Sequence, residues 1–366
     1  MSTAPLPPLA AIPHDLVAAV DYARRAPFHL DPRCLAYLNG GAADEETLAA
    51  NSAAFADFQL WPRVLADVRG GSTATALFGT PLAHPLLLAP VAYQGLFHTL
   101  GERATALAAG AMHTPFVVST LATTRLDELA SQAAAPLWFQ LYWQGSREAA
   151  LTLVRRAEAA GYGAIVLTVD APLAGIRNRE QRAGFALPPG LAAVNLAGLP
   201  EIPAPPANVP VFQGAMCQAP GWADIAWLRS QTSLPLLLKG ILHPEDAVLA
   251  RETGADGVVV SNHGGRVLDR VPASLHALPQ VRARLGADFP LLLDGGIRRG
   301  SDIFTALALG ADAVLIGRPY IHALAVAGAL GVAHLIRVLR EELEICMALC
   351  GCRSLAEIGP HCLAPA

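Results

Sequence analysis

The chain is almost without lysine. Lys239 stands alone among 26 basic residues, the rest being arginines, and the formal net charge is −4. A protein that tracks nucleic acid needs clustered cations to neutralise phosphates, so this balance argues against that class. Charged residues make up only 15% of the chain against 53% hydrophobic, which excludes a disordered chain and implies a large packed core. Uninterrupted apolar runs of the ~18 residues needed for a membrane span are missing. The N-terminus has no cation before Arg24 and its apolar part is broken by prolines, so no signal peptide is expected. These features predict a soluble, cytoplasmic protein with no membrane partner. The six cysteines, Cys34, Cys217, Cys346, Cys350, Cys352 and Cys362, are too sparse for a disulfide scaffold. Cys350-Gly351-Cys352 lacks the usual Cys-x-x-Cys spacing. Packed, reduced thiols and no metal are expected.

What is present begins with an Ala/Pro-rich stretch, residues 1 to about 13, expected to be mobile. Asp15 to Arg25, Asp31 to Leu38 and Asp44 to Phe58 read as helices, each opened by an aspartate that could cap its first turn. A hairpin is expected at Thr75 to Pro85, pivoting on Gly79-Thr80-Pro81. From Leu86 the chain alternates short apolar strands with helical stretches. Strands are expected at Leu86–Ala92, Pro115–Leu121, Pro136–Trp143, Ala164–Ala171, Leu234–Gly240, Gly257–Ser261, Pro290–Gly295 and Ala313–Gly317. Eight units favour a closed α/β barrel, the (β/α)8 TIM barrel, over an open doubly wound sheet. On this reading residues 1–85 are a helical extension and hairpin capping the barrel, and 86–366 form one barrel domain. The unit after the fourth strand is irregular: Arg177 to Gly221 is long and rich in Pro, Gly and Ala, a lid or a disordered segment. The last helix, about Val332 to Cys350, is amphipathic, with Val332, Leu335, Ile336, Leu339, Leu343 and Met347 on one face.

In a TIM barrel the chemistry sits at the carboxyl ends of the strands, and here those ends carry one chemical theme. The sixth strand runs into Ser261-Asn262-His263-Gly264-Gly265-Arg266-Val267-Leu268-Asp269. An imidazole that can hold a proton thus lies near a guanidinium that can hold a carboxylate by two bonds. Asp294-Gly295-Gly296-Ile297-Arg298 ends the seventh strand and Gly317-Arg318-Pro319 the eighth. Barrels often bind phosphate between these loops, with backbone N–H groups and a helix N-terminus, and Arg298 or Arg318 would supply the counter-charge. No Gly-x-Gly-x-x-Gly follows the first strand and no Walker sequence occurs, so a mononucleotide fits better than a dinucleotide or ATP. Lys239, ending an apolar strand, reads as a buried cation in need of an anion. Ser119, Gln140 and Thr168 end the three strands between.

These segments together resemble the FMN-dependent 2-hydroxy acid oxidases and dehydrogenases, the glycolate, lactate and mandelate oxidase group. The resemblance extends from about Tyr37 to Ile358. It implies an enzyme that oxidises an (S)-2-hydroxy acid to the 2-keto acid, with O2 as acceptor giving H2O2. The alternative is a dehydrogenase that passes electrons to a quinone or another acceptor. His263 would be the base and Asp170 the acid that stabilises its imidazolium. Arg177 and Arg266 would hold the substrate carboxylate with Tyr37, and Tyr142 would contact the hydroxyl. For FMN the resemblance implies Pro90, Val91, Ala92, Ser119, Gln140, Thr168, Lys239, Ser261, Asp294, Gly296, Arg298, Gly317 and Arg318, with Lys239 facing the N1–C2=O edge. Whether His263 takes the hydroxyl proton or the carbon proton stays open. Leu121 stands where glycolate oxidases usually carry a tryptophan, and Ala89 to His98 looks most like hydroxymandelate oxidases. That points to a bulky or aromatic acid, with lactate next. A homotetramer is also implied.

Overall fold

A computed structural model describes residues 4–199 and 209–365. Three short helices, α1 (Ala19–Arg25), α2 (Pro32–Asn39) and α3 (Glu46–Ala53), lead into an antiparallel hairpin, β1 (Thr75–Leu77) and β2 (Thr80–Leu82). Strands β3 (Leu86–Leu88), β4 (Phe116–Ser119), β5 (Leu137–Tyr142), β6 (Ile165–Thr168), β7 (Leu236–Ile241), β8 (Gly257–Val260), β9 (Leu291–Asp294) and β10 (Ala313–Ile316) follow, all parallel, and β10 pairs back on β3. The sheet is therefore a closed eight-stranded barrel with crossover helices α4 (Gly101–Ala111), α5 (Leu126–Gln132), α6 (Arg147–Ala159), α7 (Asn178–Arg182), α8 (Trp222–Gln231), α9 (Pro244–Glu252), α10 (Ser274–Leu285), α11 (Gly300–Ala308) and α12 (Arg318–Cys350). This is the expected (β/α)8 architecture, with every expected strand in place. The observed strands are shorter than the apolar runs, because those runs continue into loops beyond the last ladder bond.

Side chains along a strand alternate between two faces, and the barrel separates them into two cores. Leu87, Val117, Trp138, Val166, Leu237, Val259, Leu292 and Leu315 fill the interior, joined by Leu77 and Leu82 of the hairpin. Their neighbours, such as Leu86, Val118, Phe139, Ile165 and Leu293, pack outward beneath the helices. Both faces are dry, which is why these strands read as continuous apolar runs instead of alternating ones.

Several expectations need correction. The N-terminal stretch is tied down from Leu6: its N–H donates to the Phe28 carbonyl (2.8 Å) and that of Leu9 to the Val326 carbonyl (2.7 Å). Asp31 caps α2 as expected, accepting from Arg33 N–H at 2.8 Å. α1 starts four residues beyond Asp15, which pairs with Arg25 instead. Asp44 does not cap α3. The carboxylate of Asp269, more than 200 residues away, accepts from the N–H groups of Asp44, Glu46 and Thr47 at 2.8–3.3 Å. The hairpin turns on Phe78-Gly79, both at positive φ. α12 as a whole is long and apolar enough to cross a membrane, although no single apolar run is. However, 67% of its apolar window is buried against the barrel, and its backbone leaves helical geometry at Ala327 and Gly328. Of the long segment after β6, residues 177–199 run largely along the surface and are anchored by Asn195, which is buried and whose Oδ1 accepts from Leu126 N–H at 2.9 Å. Residues 200–208 lie outside the described residues.

Candidate active site

The site follows from the alternation. Stepping by two from each interior residue past its strand end gives Leu87, Ala89, Val91; Val117, Ser119, Leu121; Trp138, Gln140, Tyr142; Val166, Thr168, Asp170; Leu237, Lys239; Val259, Ser261, His263; Leu292, Asp294; and Leu315, Gly317. Positions that point into the apolar barrel lower down become polar at its mouth. There all but Gln140, Asp170 and Ser261 border one cavity of about 370 Å³, within the ~300–1,000 Å³ range of small-ligand sites.

The cavity wall carries Tyr37, Pro90, Val91, Ala92, Ser119, Tyr142, Thr168, Arg177, Lys239, His263, Arg266, Asp294, Gly296, Arg298, Gly317 and Arg318. Three expected residues stand behind it. Gln140 is 1% exposed and links two wall residues: its Oε1 accepts from Ser119 Oγ (3.2 Å) and its Nε2 donates to Thr168 Oγ1 (3.0 Å). Ser261 Oγ accepts from Lys239 Nζ (2.9 Å) and from His263 N–H (3.0 Å), fixing both. Asp170 backs the histidine.

His263 sits at φ 58, followed by Gly264 at 64 and Gly265 at 72, three left-handed residues in succession. The two glycines take this conformation freely, whereas at His263 it costs about 1–2 kcal/mol. The turn is held from inside, since Gly265 N–H donates to the Asn262 carbonyl (2.9 Å) and side chain (3.1 Å). The Asn262 amide forms a reciprocal buried pair with that of Asn51 on α3, at 2.7 and 2.8 Å. So held, His263 places Nδ1 2.9 Å from Asp170 Oδ1 and Nε2 3.2 Å from the Tyr142 hydroxyl. A carboxylate only accepts, so Nδ1 carries a proton, and Nε2 faces the Tyr142 hydroxyl at the cavity wall. Burial pushes the Asp170 carboxyl up, but the charge and hydrogen bond of His263, with Lys239, outweigh it and hold Asp170 below its usual range.

Lys239 is fully interior and forms an ion pair with Asp294 at 2.8 Å. Burial opposes its charge, and the Asp294 and Asp170 carboxylates more than reverse that, raising it above the usual lysine value. The arginines fall into two kinds. Arg318 donates to the carbonyls of Leu38, Gly264 and Gly40, and Arg266 Nη1 to those of Tyr37, Leu38 and Gly40. Both thereby solvate their charge at the carboxyl end of α2. Among the described residues the Arg298 guanidinium bonds only the neighbouring Ile297 carbonyl, and Arg177 meets Glu180 at 3.3 Å. Burial lowers Arg266, Arg298 and Arg318 alike, and Arg177 beside Arg266, with Arg266 and Arg298 beside Arg318, adds like-charge repulsion. So many buried cations round one cavity call for anionic ligands. The donors leading into α11 are already engaged, Arg298 and Arg299 N–H by Asp302 and Gly300 N–H by Glu342. A phosphate would therefore use the Gly295-Gly296 loop, Arg298 and the start of α12, which supplies the helix N-terminus expected from the sequence.

Tyr37 is stacked on Phe185 (4.6 Å between centroids) and lies under the Arg266 guanidinium at 5.2 Å. Burial raises the hydroxyls of Tyr37 and Tyr142 above the usual phenol value. Phe185, Leu187 and Glu180, which also line the cavity, were not legible in advance. They come from the irregular segment, where no periodicity says which side chain turns inward.

A parallel barrel that gathers a carboxylate-backed imidazole and several guanidinium groups round a phosphate-type loop defines an enzyme using a phosphorylated cofactor on an anionic substrate. The chain belongs to the FMN-dependent dehydrogenase family, whose profile matches residues 26–365. It is 51% identical to L-lactate oxidase from Alicycliphilus denitrificans over 357 residues, 97% of this chain and 98% of that protein. It is 44% identical to glycolate oxidase from Spinacia oleracea over 327 residues, 88% and 89% of the two chains. Among solved structures, mandelate oxidase with (S)-2-phenylpropionate superposes with a TM-score of 0.86 at 41% identity, over 95% of this chain and 98% of that one.

The residues present fit FMN. Asp294 Oδ1 is buried without a hydrogen-bond partner among the described residues, an acceptor ready for a ribityl hydroxyl. Arg298 has donors to spare for a phosphate, and Lys239 supplies a fixed cation. A Cβ on Gly296 would lie 1.9 Å from the Asn51 carbonyl, so the backbone there closely approaches α3. On the other side, Arg177 Nε is likewise buried without a partner among the described residues, a donor suited to a substrate carboxylate.

Proposed function

We propose that this chain oxidises a lactate- or mandelate-type (S)-2-hydroxy acid to the 2-keto acid, with O2 as the final acceptor and H2O2 as product. One observation carries the reading: Nε2 of His263, 3.2 Å from the Tyr142 hydroxyl, and the guanidinium groups of Arg177 and Arg266 border the same cavity as Lys239 and the phosphate-type loop. FMN, when bound, supplies the acceptor for the two electrons leaving the substrate carbon.

The chain's own groups do the rest. Arg177 and Arg266 take the carboxylate, displacing Glu180, whose Oε2 lies 3.3 Å from Arg177 Nη1 and 4.0 Å from Arg266 Nη2. Glu180 thus occupies the place of an anion between the two cations. Tyr142, hydrogen-bonded to Nε2, orients the substrate hydroxyl towards His263. The imidazole accepts the proton at Nε2, and Asp170 stabilises the resulting cation through Nδ1–H. Lys239 stabilises negative charge accumulating on the cofactor side. Leu121, Phe185 and Leu187 give the substrate end an apolar wall suited to a methyl or phenyl substituent. We further propose a cytoplasmic location, and the family resemblance supports a homotetramer, for which a light-scattering mass four times that of the chain is expected.

The test is one experiment in two steps. Holoenzyme mixed without air with (S)-lactate or (S)-mandelate should lose its visible flavin absorbance, and air should restore it with release of H2O2. An absorbance that no 2-hydroxy acid bleaches overturns the reading. Bleached protein that recovers with a quinone but not with air overturns the oxygen part alone.

A further inference from the structure

Away from the barrel mouth, the carboxyl end of α12 and the C-terminal tail enclose a second cavity of about 370 Å³. Its wall includes Cys350, Cys352, His361 and Cys362, with Trp61 and Arg63 at its edge. Cys352 and Cys362 are both buried, at 4% and 3% exposure, and their sulfurs are 3.6 Å apart, in van der Waals contact. The sequence draws attention to Cys350-Gly351-Cys352, but the pairing partner of Cys352 is ten residues further on.

We propose that Cys352 and Cys362 form a dithiol that hydrogen peroxide oxidises to a disulfide, fastening the C-terminal tail to the end of α12. The two sulfurs differ in their surroundings. Cys362 Sγ lies 3.5 Å from His361 Nε2, a group able to take the thiol proton. Cys352 has no such base, and burial together with its contact to Cys362 pushes its thiol up to about 12. Cys362 is therefore the attacking sulfur and Cys352 the resolving one. The Cys362 thiolate attacks a peroxide oxygen: the S–O bond forms, the O–O bond breaks, and the leaving hydroxide takes up the proton held by His361 as water. Cys352 then attacks the sulfenic sulfur, forming S–S and breaking S–O, and its proton leaves with the hydroxyl as a second water. Two thiols lose two electrons and one peroxide gains them.

The backbone lets the sulfurs close the remaining gap. Cys352 follows Gly351, which ends α12 in a left-handed turn, and Cys362 ends a single short turn in the tail. The tail is already laid against the chain before the hairpin, Trp61 N–H donating to the Cys362 carbonyl and Ala364 N–H to that of Gln59, each at 2.8 Å. The disulfide would convert this pairing into a covalent clasp. The inference rests on the oxygen-acceptor reading only for its internal source of peroxide.

The experiment uses holoenzyme carrying Cys217→Ser, which removes the exposed thiol and its competing oxidation. In one arm H2O2 is added to resting enzyme. In another the enzyme turns over (S)-lactate in air, with and without catalase. Thiols are counted after denaturation and peptides are mapped. Expected is the loss of two titratable thiols in both arms, protection by catalase, and a Cys352–Cys362 cross-linked peptide. Cys352→Ser should retain flavin absorbance and give no cross-link, with Cys362 as sulfenic acid trapped by dimedone. Added peroxide that leaves both thiols free, or carries Cys362 to sulfinic acid without a cross-link, overturns the proposal. A cross-link with added peroxide but none during a turnover that releases H2O2 keeps the dithiol and rejects the enzyme's own peroxide as its oxidant.

Discussion

Asp170→Asn separates positioning of the base from stabilisation of its charge. The carboxylate accepts from His263 Nδ1 at 2.9 Å, and its side chain is only 13% exposed. An asparagine oxygen can still accept from Nδ1–H, so the ring stays in place. What is lost is the counter-charge to the imidazolium that forms once Nε2 has taken the substrate proton. At ~4 Å between charge centres and an effective dielectric of about 20, that attraction is about 4 kcal/mol. The retained neutral hydrogen bond offsets about 1 kcal/mol of it. The remaining loss of about 3 kcal/mol corresponds to a fall of roughly 10² in the bond-breaking step. Stopped-flow decay of the flavin absorbance under saturating hydroxy acid without air measures that step directly. Because Asp170 stands behind the cavity wall, KM should move far less than kcat, the pattern of an interaction made only in the transition state. A variant with full FMN content and a wild-type decay rate would refute the assignment of His263 as base.

Lys239→Met should destabilise the apoprotein by about 3–5 kcal/mol in denaturant unfolding, because it leaves Asp294 buried and unpaired, and adding Asp294→Asn should recover part of the loss. The folded Lys239 is raised above its ordinary value of 10.5, so its contribution to stability is complete below about that pH and declines as pH climbs through the folded value. Thermal unfolding of the apoprotein should accordingly weaken in that alkaline range, and the double variant should lack this component. Gly240→Ala should act through Asp170: a Cβ there would lie 2.4 Å from Asp170 Cγ and 2.8 Å from Oδ2, at φ +109. Stopped flow should show a loss like that of Asp170→Asn in protein that still binds FMN, and an unchanged rate would show that the carboxylate position is not critical. Leu121→Trp should narrow the apolar wall, lowering kcat/KM for (S)-mandelate more than for glycolate, and equal losses on both would place the selectivity elsewhere.

What the chain reveals of this site follows the strands. Tyr142, Thr168, Lys239, His263 and Asp294 continue an alternation that the apolar core fixes lower in the barrel, so a correct strand also fixes which side chains reach the mouth. Distance along the chain hides the rest. α3 is capped by Asp269, and its Asn51 pairs with Asn262 across 211 positions. Neither contact leaves any local spacing, because a side-chain acceptor serves a helix end equally well from any direction. The placement of α3 has mechanistic weight: Asn51 touches the His263 turn through its amide and the Gly296 loop through its carbonyl. A shift of that helix would therefore disturb the proton acceptor and the phosphate-type loop together. The N-terminal helices thus help to build the site, with the α2 carbonyls holding Arg266 and Arg318 from one side and α3 holding the His263 turn from the other.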